Sequence, residues 1–168
     1  MYLLIENGQV AEHYEVLPYA WRNVSGLTLM SAEELAGLGW VPAALDVTPL
    51  GPYQRYGDWV FKQDITGWLA QREIVQIPQE QIVAVLTSTV QMHLDNVARQ
   101  RGYDGILSAC SYATSSHAAF KAEGQACVDW RDAVWSACYQ IMGAVQAGDR
   151  AVPTEGELIL LLPGMVWA

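Results

Sequence analysis

The spacing of hydrophobic residues changes once along the chain, near Ile77 and Pro78. Before this point, apolar and polar residues alternate in short segments bounded by Gly, Pro and Asn, a pattern typical of strands and turns. After it, apolar residues recur every third or fourth position, as on the buried face of a helix. The pattern therefore predicts an α+β chain with a β-rich N-terminal domain (1–78) and a helical-hairpin domain (79–168) that ends in an apolar C-terminal tail.

The first domain is predicted to be a small β-meander with one short helix. Asn7-Gly8 lies between two alternating segments, which is typical of a tight hairpin turn. Ser31 is followed three residues later by Glu34, a spacing typical of a capping box that begins a helix. Breakers favour a loop over 45–56 and a turn at Gly57-Asp58. Further strands are expected at 40–42, 59–62 and 68–75.

The second domain is predicted to contain two long amphipathic helices, Glu80–Arg101 and about His117–Ala147. Asp104 is expected to cap a short helix between them, and Thr154 to begin a terminal helical turn. The apolar face of the first long helix comprises Ile82, Val83, Leu86, Val90, Leu94 and Val97. That of the second comprises Phe120, Cys127, Trp130, Val134, Cys138, Ile141 and Val145.

The C-terminal tail is apolar on every side from Leu158 to Leu162 and again over Met165-Val166-Trp167. A helical turn of this kind has to be buried. Two alternatives remain open at this point: the tail docks across its own helical hairpin, or it docks on a partner chain.

The charge balance limits the partners. The chain has 9 basic and 18 acidic residues, a net charge of −9. Nucleic acid and anionic membrane surfaces are therefore not expected as partners, because both require clustered Lys and Arg. No apolar run approaches the roughly 18 residues that a membrane-spanning helix needs. The start, Met1 to Gly8, does not resemble a signal peptide, so we expect a soluble protein made in a cytoplasm.

No residue pattern predicts catalysis, a metal site or a cofactor. His13, His93 and His117 have no metal-ligand spacing, and no serine lies in a nucleophile motif. Cys110 and His117 could form a nucleophile pair, but such a spacing arises readily by chance. Three cysteines without a CxxC motif favour neither a disulfide framework nor a zinc site. The residues predict a non-enzymatic chain.

Aromatic residues are the unusual part of the composition, with seven Trp and eight Tyr. They favour either a small aromatic β core or a contact surface. A third interpretation is sugar binding, with aromatic rings stacking on the sugar and Asp46, Asp58 or Asp64 accepting hydroxyl hydrogen bonds. The candidate partner-binding residues are Trp40, Tyr53, Tyr56, Trp59, Trp68, Leu161, Met165 and Trp167.

Several segments of the second domain resemble one known family. They are Arg99–Ile106, Ser108–Ser115, Phe120, Ala122–Ala126, Trp130–Trp135 and Pro153–Glu155. Together they are similar to small tail-fibre-associated or tail-fibre-assembly proteins of tailed bacteriophages and prophages, mainly over residues 79–163. The resemblance implies a non-enzymatic protein that binds a tail-fibre or baseplate protein, as a structural subunit or as a fibre-assembly chaperone.

The resemblance also implies a location, in the virion tail for a subunit or in the host cytoplasm during assembly for a chaperone. It carries over no catalytic residues. A homo-oligomer is left open. The alternative function from the residues is a carbohydrate-binding module for a host surface glycan.

Overall fold

The computed structural model describes residues 1–168 and divides into two compact units, 1–77 and 78–168. The predicted α+β class is confirmed, because the first unit contains the strands and the second is helical. The division lies one residue before the predicted domain boundary. None of the helices combines the length and hydropathy that a membrane span requires.

The first unit contains a five-stranded mixed sheet in the order β2-β1-β5-β7-β6. The chain leaves β5, forms the edge strand β6 and returns inwards as β7, which pairs with β5 in parallel. This strand order differs from that of a simple meander, in which each strand would pair with the next. The elements are β1 (Tyr2–Glu6), β2 (Gln9–Tyr14), β3 (Ala20–Trp21), β4 (Val24–Ser25), α1 (Ala32–Gly37), β5 (Trp40–Asp46), β6 (Gln54–Asp64) and β7 (Gly67–Gln76).

The sheet is strongly curled. Its two edge strands, β2 and β6, would lie roughly 19 Å apart in a flat sheet, at four strand spacings of about 4.8 Å. Yet the ring of His13 on β2 is 5.2 Å from the ring of Phe61 on β6, measured between centroids. Both edge pairs contain a bulge, and bulges increase local twist. The small residues Ala43 and Ala70 are buried on the concave face.

Each face of the sheet has its own apolar cluster. Leu3, Ala43 and Ala70 form the buried part of the concave face. The opposite face is covered by α1 and a 3-10 turn at Leu27–Leu29. Its buried residues are Leu4, Leu17, Leu27, Leu35 and Trp40.

The predicted turn at Gly57-Asp58 is wrong, and the predicted loop at 45–56 is too long. Gly57 and Asp58 lie inside β6, where the register with β7 shifts between Tyr56 and Trp59. A Cβ on Gly57 would lie 2.7 Å from Cγ2 of Val75, so the bulge brings the backbone too close for any side chain. Glycine marks a strand bulge here.

The second unit is built on two long helices, α2 (Gln79–Gln100) and α4 (Ala118–Ala147). Between them lie α3 (Ile106–Ser111) and a 3-10 turn at Tyr112–Thr114, and α5 (Glu155–Leu161) follows. The predicted apolar faces meet in one core, although Val83 and Phe120 at their ends are exposed. Its buried residues are Val90, Leu94, Ala98, Ile106, Ala109, Cys127, Trp130, Val134 and Leu158.

The predicted helix starts are correct where the capping residues lie within three positions of each other. Ser31 and Thr154 each form the complete capping box with Glu34 and Glu157. The predicted cap at Asp104 is wrong, because its side chain makes no capping bond and Gly105 occupies the N-cap position.

Candidate binding surface

An aromatic row follows β6 on the concave face of the sheet. Tyr56, Trp59 and Phe61 share this face because the bulge at Gly57-Asp58 restores the alternation. The rings of Trp59 and Phe61 lie in nearly parallel planes, 13° apart, with centroids 6.4 Å from each other. His13 meets both rings from β2. The row is half-buried, so the ring surfaces are only partly covered.

Arg72 on β7 lies beside this row, in register with Trp59. Its guanidinium carbon is 5.1 Å from the Trp59 ring centroid and 5.8 Å from that of Tyr56, within the range of cation–π attraction. Its Nε donates a 2.8 Å hydrogen bond to the Gly57 carbonyl. We call Tyr56, Gly57, Trp59 and Arg72 the Arg72 cluster.

The guanidinium of Arg72 has no carboxylate partner. The ion pairs of the chain are Arg22–Glu6, Arg101–Glu123 and Arg131–Asp132. Arg72 differs from the other arginines without an ion pair in that its guanidinium lies within cation–π distance of two aromatic rings. One backbone hydrogen bond and two ring contacts fix its orientation, while its terminal nitrogens have no acceptor in the chain.

The structure separates the predicted aromatic residues of the first unit. Tyr56 and Trp59 lie in the Arg72 cluster. Trp68 packs against the apolar cluster of Leu3, Ala43 and Ala70 on the concave face. Tyr53 precedes β6 with a left-handed backbone (φ 56°) and is half-buried. The prediction that Trp40 contacts a partner is wrong, because its side chain is 0% exposed on the opposite face.

The predicted contact residues of the tail also belong largely to their own unit. Met165 and Trp167 pack against the helical core, and the Arg101 guanidinium lies 5.5 Å from the Trp167 ring centroid. Leu161 is 44% exposed. The tail therefore docks across its own helical hairpin, which is the first of the two predicted alternatives.

Two of the acidic residues proposed to hold sugar hydroxyls have local partners. The Asp64 carboxylate accepts hydrogen bonds from the backbone N–H and the hydroxyl of Thr66, which lower its pKa. Asp46 accepts from the hydroxyl of Thr48. Both carboxylates are therefore already engaged by a hydroxyl two residues further along the chain.

Sequence reasoning missed Arg72, Phe61 and His13. The alternation Trp68-Ala70-Arg72 in β7 already indicates that Arg72 shares a face with Trp68. Phe61 and Trp59 are likewise two residues apart. His13 could not be found this way, because its contact with Phe61 depends on the curl of the whole sheet.

The segments that resemble the phage family build the fold of the second unit. Glu123 accepts hydrogen bonds from Arg101 and from the Tyr103 hydroxyl, and these lower its pKa. Burial, together with the bond to Glu123, raises the pKa of Tyr103 to about 12. A Cβ on Gly124 would lie 2.2 Å from the Ala113 nitrogen. The backbone of α4 at Gly124 is therefore in direct contact with the backbone of the 3-10 turn at Tyr112–Thr114.

The cysteines are poorly suited to nucleophilic chemistry. Burial raises the pKa of all three thiols, that of Cys127 to about 11, which disfavours the thiolate. The ring of His117 packs on Phe120, 4.3 Å between centroids. No cluster of His, Cys, Asp and Glu could hold a metal ion.

A scan against protein-family models, a search of curated proteins and a search of solved structures find no match to this chain. The resemblance to tail-fibre-associated proteins rests on the sequence segments quoted above.

Proposed function

We propose that this chain is a non-enzymatic tail protein of a bacteriophage that binds a tail-fibre or baseplate protein. It would act as a structural subunit in the virion tail or as a fibre-assembly chaperone in the host cytoplasm. The sequence segments of the second unit support the family. The observation that carries the binding role is the Arg72 cluster, an oriented cation beside two aromatic rings without an acidic partner.

The residue types of this surface support a role in recognition. Trp, Tyr and Arg are the residues that contribute most to protein–protein binding when truncated. Arg72 is held by Gly57 before any partner arrives, which reduces the ordering cost of binding. The same unit also exposes the apolar residues Leu45, near the end of β5, and Val47 and Leu50, which follow that strand.

Co-expression with the product of the neighbouring fibre gene tests the proposal. We expect the two proteins to co-purify and the fibre to become more soluble. Arg72→Gln should weaken co-purification, whereas substitution of Lys62, an exposed cation on the neighbouring strand β6, by Gln should not. Failure of the wild-type chain to bind any fibre or baseplate protein of its own genome would refute the proposal.

Mass spectrometry of purified virions separates the two roles. A structural subunit remains in mature particles, and a chaperone is absent from them. Size-exclusion chromatography of the purified chain would show in addition whether it is a homo-oligomer.

A second candidate function is carbohydrate binding. It is favoured by the nearly parallel rings of Trp59 and Phe61, since flat aromatic faces stack on pyranose rings. A glycan array would test it, with Trp59→Ala expected to lose the signal while a correctly folded Leu160→Ala protein keeps it. No signal on any host polysaccharide would dismiss it.

A further inference from the structure

We infer that the Arg72 cluster binds the carboxylate of an acidic saccharide, such as a uronic acid unit. The inference rests on the second candidate function and names its ligand class. It is carried by the combination of an oriented, unpaired guanidinium and adjacent aromatic rings on one face of the sheet.

The single hydrogen bond of Arg72 leaves the outer part of its guanidinium available. The Nε donor is occupied by the Gly57 carbonyl at 2.8 Å. The N–H groups of the two terminal nitrogens have no acceptor, and no carboxylate lies within ion-pair distance. A planar pair of donors of this kind matches a carboxylate in a bidentate arrangement.

The orientation of the guanidinium is set from more than one side. Trp59 and Tyr56 attract the cation from within their own face of the sheet. The Tyr56 hydroxyl donates a 2.8 Å hydrogen bond to the Thr48 carbonyl, which holds the Tyr56 ring in place. The bulge at Gly57 supplies the carbonyl, and a side chain there would collide with Val75. These contacts form a pre-organised site.

Charge favours a ligand with a single negative charge at this position. One guanidinium neutralises one carboxylate, whereas a phosphate carries about −1.5 to −2 at neutral pH and calls for further cations. The chain as a whole has a net charge of −9, so a peptide with several acidic residues would be repelled. A saccharide spaces its carboxylates apart and offers apolar ring faces to Trp59 and Phe61.

Isothermal titration of the full chain with two matched probes tests the inference. The probes are a glucuronic-acid-containing oligosaccharide and the same oligosaccharide after reduction of its carboxyl groups to alcohols. We expect the acidic form to bind at least about tenfold more tightly, because hydrogen bonds to charged groups contribute that much or more. Arg72→Lys should abolish most of this difference, since lysine keeps the charge and loses the planar donors.

Arg55→Lys is the matched control, because Arg55 is an exposed arginine on the neighbouring strand β6 without an ion-pair partner. It should bind both probes as the wild type does. A two-dimensional NMR spectrum that correlates the amide protons and nitrogens of each variant verifies that the sheet is intact before titration.

The outcomes separate the inference from the function on which it rests. Equal affinity for the two oligosaccharides, unchanged in Arg72→Lys, would overturn the carboxylate site and leave carbohydrate binding standing. No heat of binding with either probe at millimolar concentration would overturn both. Binding of a glutamate-rich peptide through Arg72, without binding of the oligosaccharide, would reassign the site to a protein ligand and also overturn the inference.

Discussion

The indole N–H of Trp130 donates a 2.7 Å hydrogen bond to the backbone carbonyl of Pro163. This bond joins the middle of α4 to the segment that follows α5, 33 positions later in the chain. Trp130 is itself buried in the helical core. The C-terminal tail is therefore part of the folded helical unit, with Leu158 as its most buried side chain.

Truncation within α5 should show the value of this docking. Leu158 is 4% exposed and Leu160, on the same short helix, is 86% exposed. We expect Leu158→Ala to lower the free energy of unfolding by about 2–5 kcal/mol, because it removes buried methyl groups and leaves a cavity. Leu160→Ala should change it by less than about 0.5 kcal/mol. Urea unfolding followed by circular dichroism at the helix band measures both; equal losses would contradict the docked arrangement.

Two glycines of α4 should respond in opposite ways to the same substitution. Alanine is favoured over glycine inside a helix by about 1 kcal/mol, so Gly143→Ala, where a Cβ meets no atom within 4 Å, should stabilise the protein. At Gly124 the new Cβ would lie 2.2 Å from the Ala113 nitrogen, a backbone atom that cannot move aside cheaply. We expect Gly124→Ala to destabilise the helical unit by several kcal/mol in urea unfolding. A stabilised Gly124→Ala protein would show that the two backbones are not in contact.

The N-terminus of α3 depends on an aspartate from another helix. The Asp95 carboxylate on α2 accepts a 2.9 Å hydrogen bond from the Ile106 backbone N–H. We expect Asp95→Ala to lower the free energy of unfolding by about 1 kcal/mol, as for other lost helix caps. Asp104→Ala should have little effect, because only the backbone carbonyl of Asp104 is used, by Arg99. Thermal melts of the two variants decide between Asp95 and Asp104 as the capping residue. A larger loss of stability in Asp104→Ala than in Asp95→Ala would support the cap predicted from the sequence.

These contrasts show which parts of the fold can be predicted from the sequence. The hairpin at Asn7-Gly8 was predictable because both residues take the left-handed backbone, with φ of 53° and 78°, that this dipeptide favours. The two capping boxes were predictable for the same reason, since all their partners lie within three residues. The long helices follow from apolar spacing alone.

The features that could not be predicted join residues far apart in sequence. The Asp95–Ile106 cap crosses from one helix to another, and Asp104 was the nearer and therefore the expected candidate. The parallel pairing of β5 with β7 places Trp40 and Trp59 on opposite faces of the sheet, which alternation within single strands does not reveal. The aromatic content indicated a contact surface but not which rings would form it.

The carboxylate of Glu123 should make the helical unit sensitive to acid. Hydrogen bonds from Arg101 and Tyr103 hold its pKa below the ordinary value, so the folded state binds the proton less tightly than the unfolded state. The stabilisation is complete above the unfolded pKa of about 4.3 and is lost as pH falls through the lower, folded pKa. We expect Glu123→Gln to be less stable than the wild type at pH 7, with the difference shrinking in acid. Asp149→Asn, an exposed acid, should keep the wild-type profile in urea unfolding. A difference that stays constant with pH would rule out this role of the charge.

The phenol of Tyr103 should produce the opposite dependence at alkaline pH. Burial and the bond to Glu123 raise its pKa to about 12, above the value of about 10 expected in the unfolded chain. The folded state thus holds this proton more tightly, so the stabilisation is complete below about pH 10 and is lost as pH rises towards 12. We expect Tyr103→Phe to be less stable than the wild type at pH 7 by about 1 kcal/mol, because a hydrogen bond is lost. Between about pH 10 and 12 this variant should lose less stability than the wild type does. Tyr139→Phe, at a position 67% exposed, should follow the wild type. A ring-carbon NMR titration that shows every tyrosine ionising near pH 10 would contradict the shift.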